Sequence, residues 1–332
     1  MNKKLNIAVL FGGDSSEKII SEHSSRTIVK YLDSEKYNVY RIGVNGSEWN
    51  VEIDGRHISV DKNCFGFDAD GKKTVFNCAF IIIHGTPGEN GLLQAYFEML
   101  DIPYTTCSSF VSALTFNKYS CKCCLRDAGV GLAKDFLLKA GDTFNQAEIE
   151  KIIDYPMFVK PNAGGSSFGA NKVASPDKLQ QAVDEARRED CDVIIEAFVQ
   201  GNEFSHGIFI SENRIIEFPV TQIVSKTDFF DYQAKYEGKS EEITPAPISE
   251  DLSQRIKAMT KKISMRLGCR GLVRIDYIYS SGELYFLEIN TVPGMSEASI
   301  VPKQIVHAGY GVSEVLDYLI EDSIQATKKH IQ

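Results

Sequence analysis

Gly271-Leu272-Val273-Arg274-Ile275-Asp276-Tyr277-Ile278-Tyr279, then Ser280-Ser281-Gly282, then Leu284-Tyr285-Phe286-Leu287-Glu288-Ile289-Asn290 is the stretch that decides the reading of this chain. Both flanks are rich in β-branched and aromatic residues and read as strands, and the segment between them reads as a hairpin turn. Side chains two apart on a strand share a face. Arg274 and Asp276 therefore point one way together, as do Glu288 and Asn290. A three-residue turn at 280–282 puts the two acids on one face, whereas a two-residue turn or a bulge would separate them. Asp276, Glu288 and Asn290 offer only oxygen ligands, which suits Mg²⁺ bound by one or two carboxylates plus substrate phosphates. The competing reading is a strand with one wet face.

The bulk properties narrow the field. A chain of 332 residues is long enough for two or three domains, and 43% apolar with 24% charged residues is a globular composition. A net charge of −9 argues against a general nucleic-acid or membrane-surface binder, so positive charge for an anionic substrate must be local. No run approaches the roughly 20 apolar residues of a spanning helix, and the opening apolar run ends at Gly12-Gly13, as a buried strand does. A cytoplasmic protein is expected. The eight cysteines fit neither a disulfide framework nor a zinc site, and the Cys121-Lys122-Cys123-Cys124 cluster falls in an expected helix over 117–128.

Three blocks follow one another. The first, 1–107, alternates strands (5–11, 37–44, 79–83) with helices (21–32, 91–100), which predicts a parallel sheet binding ligands beyond its carboxyl ends. Two loops fall on that rim, Gly12-Gly13-Asp14-Ser15-Ser16-Glu17 and His84-Gly85-Thr86-Pro87-Gly88-Glu89. The second block, 108–209, carries an expected strand over 157–160, a helix over 176–188 and a strand over 193–197. The third, 210–332, holds a helix over 249–267 and the hairpin. The fold class is α/β with α+β character.

Three further stretches carry chemistry. Lys160-Pro161-Asn162-Ala163-Gly164-Gly165-Ser166-Ser167-Phe168-Gly169 ends an apolar strand with a lysine and then offers N–H groups and hydroxyls to a polyphosphate. The lysine precedes the glycines, so it is no P-loop, and a plain surface loop is the alternative. Glu196-Ala197-Phe198-Val199 with Glu203 has the make-up of a strand, a hinge and an acid able to read a purine edge and ribose. The Tyr- and Lys-rich segment 226–242 has the length and aromatic content of an active-site lid.

Taken in order, these motifs resemble the ATP-grasp superfamily. Phe11-Gly12-Gly13, Ser15, Glu17, His84-Gly85, Gly88-Glu89 and Pro293-Gly294-Met295 narrow the resemblance to its D-alanine–D-alanine ligase family, over about residues 6–320. The resemblance implies a three-domain ATP-grasp fold, with nucleotide bound between the central and C-terminal domains. Lys118 and Lys160 match lysines on the ATP phosphates, Ser167 belongs to the loop over them, and Lys235 matches a γ-phosphate contact. Glu196, the Ala197 and Val199 backbone and Glu203 match adenine and ribose contacts. Asp276, Glu288 and Asn290 match the ligands of two Mg²⁺ ions, for which Mn²⁺ can substitute. Glu17 matches the acid on the first D-alanine's ammonium, linked through Ser166 to Tyr236, with His84 beside it. Arg274 and the Gly294 N–H match the oxyanion-stabilising groups, and Ser299 a contact to the second carboxylate. A homodimer is implied, with ATP and D-alanine as small-molecule partners.

The chain departs from the family pattern at Asn90, Phe168 and Asn117, where an Asp, a Val and an Asp are common. None of these is a proposed catalytic group. The Lys235-Tyr236 pair favours D-alanine over D-lactate as acceptor, and D-serine stays open. A non-catalytic nucleotide-binding module is the reading from another class, and the Arg274, Asp276, Glu288, Asn290 set speaks against it.

Overall fold

The computed structural model describes residues 3–15, 17–165, 168–225 and 240–331. Its first sheet runs Arg56–Ser59, Glu48–Ile53, Tyr37–Asn45, Leu5–Gly12, Cys78–Ile81. Only the last three strands are parallel, with Leu10 opposite both Ile42 and Ile81. The other two return antiparallel, so the sheet is mixed where a parallel one was expected. The alternation 48–53/56–59 around Asp54-Gly55, both at positive φ, is a hairpin that the coarse strand–helix reading passed over. Because the strands ending at Gly12 and Ile81 lie side by side, their two rim loops leave the same edge, as expected of a parallel pair.

Residues 157–161 and 193–197 form the middle of an antiparallel sheet of four strands, between Asn171–Val173 and Asp135–Leu138. The helix expected over 176–188 is a 3₁₀ turn, Pro176–Lys178, running into an α-helix, Leu179–Ala186. Its Leu179, Ala182, Val183 and Ala186 follow helical spacing and all pack into the core under this sheet.

The third sheet is wholly antiparallel: Ser240–Ile243, Thr221–Ser225, Asn202–Ile210, Gly271–Ser280 and Glu283–Asn290, with Ile215–Glu217 beside Asn202–Ile210. Part of the expected loop over 226–242 is therefore strand, since Glu241 and Glu242 pair with Val224 and Ile223. Residues 226–239 lie outside the described residues. The helix Glu250–Leu267 covers one face of this sheet, capped by Ser249 Oγ on Leu252 N and closed by Gly268 at φ 74°.

Candidate active site

The hairpin departs from its expected form in two ways that cancel. Its turn has two residues, Ser281 and Gly282, both at positive φ, with Ser280 opposite Glu283. Continued regularly, that register would set Asp276 against Leu287 and send Glu288 to the core side. Instead a bulge between Asp276 and Tyr277 takes up one extra residue, so Asp276 faces Glu288 and Arg274 faces Asn290. The bulge also lets Leu284, Phe286 and Ile289 all enter the core beneath. Two carboxylates thus lie directly opposite each other on neighbouring strands, where like charges repel. Arg274 offsets this repulsion. Its Nε and Nη2 lie 3.0 and 2.8 Å from the two Asp276 oxygens, and Ser205 Oγ (2.6 Å) and Asn290 Nδ2 (3.3 Å) donate to the same carboxylate.

Facing this surface is the lysine–glycine loop. Lys160, last but one in the strand Met157–Pro161, is buried, with Nζ 2.6 Å from Glu196 Oε2. Lys118 opens the helix Lys118–Leu125, which Asn117 caps through Ser120 N, and its Nζ donates to Gly164 O at 2.6 Å. Burial lowers the Lys118 pKa, while Glu288 and Glu196 favour its charge against the repulsion of Lys160. At Gly165 a Cβ would lie 2.6 Å from Glu17 Oε2, so the loop packs directly over the Glu17 carboxylate, and a side chain here would displace it. Ser166 and Ser167 lie outside the described residues, as do Lys235 and Tyr236.

Two cavities open on either side of this loop. One is walled by Phe158, Lys160, Phe168, Glu196, Ala197, Val199, Glu203 and the hairpin face. The other holds Glu17, His84, Glu89, Arg274, Asn290, Gly294 and Ser299. Both are lined by Lys118, Gly164, Gly165, Asp276 and Glu288, so they meet where the cations and carboxylates concentrate. In the second cavity His84 is buried, its pKa lowered chiefly by burial, and its Nε2 has no hydrogen-bond partner among the described residues. Glu89 accepts from Gly85 N at 2.7 Å, and burial, then the charge of Glu17, pushes its pKa up to about 8. A Cβ on Gly294 would lie 3.0 Å from Ser299 Oγ, which places these two residues together on the far wall.

The donor set fits Mg²⁺. Among the described residues no three His, Cys, Asp or Glu side chains gather as a ready-made cage. Two carboxylates and an amide oxygen on one face leave the remaining positions to a substrate's phosphates, the usual division for this ion.

The chain matches the family models described as D-ala D-ala ligase N-terminus over residues 6–107 and D-ala D-ala ligase C-terminus over 125–321. It belongs to the D-alanine–D-alanine ligase family. The D-alanine–D-alanine ligase of Phocaeicola vulgatus is 44% identical over 96% of this chain and 99% of its own length. That of Parabacteroides distasonis is 44% identical over 98% of this chain and 99% of its own. Among solved structures, VanG D-Ala:D-Ser ligase from Enterococcus faecalis aligns with a TM-score of 0.86 at 31% identity, covering 97% of this chain and 100% of that one. The Bacillus anthracis D-alanine–D-alanine ligase complexed with ATP aligns at 0.79 and 28% identity over 99% and 100%. The ATP-grasp architecture and ligase class expected from the hairpin and loop are those of this family.

One buried lysine beside the residues of this candidate site is not marked by any of the sequence motifs. Lys122 was seen only as part of a cysteine cluster, yet its Nζ lies 2.5 Å from Glu196 Oε1 and 3.0 Å from Asp135 Oδ2. Its i+4 spacing from Lys118 was the available signal, since it puts both lysines on one helix face.

Proposed function

We propose that this chain joins two D-alanines into D-alanyl-D-alanine for peptidoglycan precursors, converting ATP to ADP and phosphate. The observation that carries the reading is the meeting of two cavities at Lys118, the Gly164-Gly165 loop, Asp276 and Glu288. One cavity has the walls for a purine nucleotide and the other the acid, histidine and arginine for a small zwitterion. Their shared wall is where a carboxylate can reach a γ-phosphate.

The first D-alanine's carboxylate attacks the γ-phosphorus, the bond to ADP breaks, and an acyl phosphate forms. Lys118, Lys160 and Lys235 neutralise the phosphates, and Glu196, Ala197, Val199 and Glu203 hold adenine and ribose. Glu17 and His84 hold the first amino acid; the link expected from Glu17 through Ser166 to Tyr236 falls on residues outside those described. The second D-alanine, held at Ser299, attacks the acyl carbon through its neutral amine and phosphate leaves. Arg274 and the Gly294 N–H stabilise the charge that grows on the carbonyl oxygen. Asp276, Glu288 and Asn290 would hold two Mg²⁺ ions, or Mn²⁺, which supply charge neutralisation and alignment of the phosphates. The acyl phosphate must be kept from water; the lid expected over 226–242 falls mostly on 226–239, outside the described residues, since 240–242 are strand.

D-alanine is favoured as acceptor because the relatives at 44% identity bear that name, whereas the D-Ala:D-Ser ligase stands at 31%. The units expected at 1–107, 108–209 and 210–332 serve as substrate, lid and catalytic domains in the cytoplasm, with the second boundary falling before Asn202–Ile210, because that strand pairs within the third sheet. No helix among the described residues is long and apolar enough to cross a membrane. Leu92 and Met99, seven apart on one helix, and Phe110 on its neighbour are exposed and support pairing of two copies.

Phosphate release with ATP, Mg²⁺ and D-alanine alone, then with D-serine or D-lactate added, tests the reading, with products identified by mass. ADP, phosphate and D-alanyl-D-alanine from D-alanine alone are expected. Turnover only with a mixed acceptor would overturn the second-site assignment, and nucleotide binding without any turnover would overturn the enzyme.

A further inference from the structure

Lys122 has no role in the proposed reaction, yet it is only 2% exposed, and a lysine is almost never so buried unless paired. It projects from the helix Lys118–Leu125 one turn beyond Lys118, on the same face. Its Nζ is held by Ala133 O at 2.9 Å, Asp135 Oδ2 at 3.0 Å and Glu196 Oε1 at 2.5 Å. The other Glu196 oxygen is held by Lys160 at 2.6 Å. Asp135 and Glu196 sit directly opposite each other on adjacent strands, where like charges repel, and Lys122 closes over both from the helix side. Lys160 and Glu196 line the nucleotide cavity, and Lys122 stands behind them.

The geometry points to Lys122 as a positioning residue: it keeps Glu196 ionised and fixed while Lys160 leaves that carboxylate for the nucleotide's phosphates. The inference rests on reading this cavity as the ATP site. A buried carboxylate with one counter-ion cannot release it without stranding a charge in a poorly solvated place. With two counter-ions, one on each oxygen, one can go. Nucleotide affinity then depends on a lysine that never touches the nucleotide. Consistent with this arrangement, burial works against the Lys122 charge but Glu196 and Asp135 outweigh it and raise its pKa. Burial likewise opposes the Glu196 charge, and Lys160 and Lys122 bring its pKa down to about 2.

The test is a double-mutant cycle on the full chain. Kd for a non-hydrolysable ATP analogue is read by calorimetry, and KM for ATP and for D-alanine by steady-state kinetics. Lys122→Met in the wild-type background should raise the analogue Kd and the ATP KM about tenfold or more, the order of loss when a buried charge is stripped of a partner. The D-alanine KM should stay within about twofold, and Lys122→Arg should recover part of the affinity. In a Glu196→Gln background the same Lys122→Met change should cost less than about threefold, because only Asp135, which does not line the cavity, is left for Lys122 to hold. That second arm still decides if Lys122→Met alone does not fold. Equal losses in both backgrounds, or wild-type affinity in folded Lys122→Met, would overturn the inference. Failure of the wild-type chain to bind the analogue at all would instead sink the ATP reading.

Discussion

At the scale of single residues, the site is a set of charges placed where a folded chain gains least from them. Asp276 and Glu288 oppose each other across a ladder, where Arg274, Ser205 and Asn290 hold the Asp276 carboxylate and the Lys118 charge is favoured by Glu288. Glu288→Gln should therefore leave the melting temperature within a few degrees and cut turnover by about a hundredfold or more, by removing electrostatic stabilisation of the transferring phosphate. Near-normal kcat at saturating Mg²⁺ would refute the metal assignment. Glu89 gives a pH-dependent counterpart. Its carboxyl lies buried beside Glu17, with a pKa up at about 8 against an ordinary 4.5. Between those two values the folded protein holds a proton that the unfolded chain has lost, so stability falls as pH rises through that window. Glu89→Gln keeps an acceptor for Gly85 N and removes this titration. Its stability advantage over the wild type should grow from near zero at about pH 4.5 to roughly 1 kcal/mol or more at pH 8. Thermal melts across that range check it, and a flat difference would show that Glu89 is not held protonated. The residue identities of the hairpin were legible because strand alternation alone groups them. Lys122 was not, since its meaning depends on Asp135 and Glu196, which only the fold brings to it.

At the scale of elements, the hairpin shows how a sequence pattern can be read correctly and its geometry wrongly. The four polar residues do share a face, but through a two-residue turn and a compensating bulge rather than a three-residue turn. Parity is the reason. Leu284 and Phe286 alternate inward up to the bulge, Ile289 resumes after it, and Leu287 is the extra residue, lining the cavity walled by Lys160 and Glu196. Deleting Leu287 restores strict alternation from Leu284 to Asn290 and keeps Asp276 opposite Glu288. The deletion variant should fold and retain measurable turnover, with the ATP KM raised severalfold by loss of that wall. Complete loss of folded protein would mean that the local twist of the bulge, not face parity, sets this strand. The central strand at 193–197 was legible because three successive β-branched apolar residues, Val193, Ile194 and Ile195, open it. The hairpin at 48–59 and the mixed edge of the first sheet were not, since short exposed strands carry a weak period.

At the scale of the whole molecule, the first sheet does not stand alone. Its strand residues Ile7, Val9 and Phe80 share one core with Val312, Val315, Leu316, Leu319 and Ile320 of the C-terminal helix Val312–Ile331, more than 230 positions downstream by the numbering. Lys36 and Asp317 pair across the same junction at 2.5 Å. The arrangement has a functional logic, because Glu17 and His84 come from the first sheet's rim and Arg274, Gly294 and Ser299 from the third block, so the second cavity exists only while the two are clamped. A helix bearing no residue of the reaction is thus required for it. Five buried apolar side chains at about 1.5–3 kcal/mol each amount to roughly 10 kcal/mol, comparable to the entire 5–15 kcal/mol stability of a typical fold. Truncation after Tyr310 should therefore yield insoluble or unfolded protein, although every proposed catalytic and binding residue is retained. Leu316→Ala grades the same effect: a loss of about 2–5 kcal/mol in stability, with the KM values for ATP and D-alanine nearly unchanged at a temperature where the variant stays folded. A soluble, active chain ending at Tyr310 would mean that the first sheet closes its core without the helix, and that the clamp lies in the smaller contacts around Met295 and Val301.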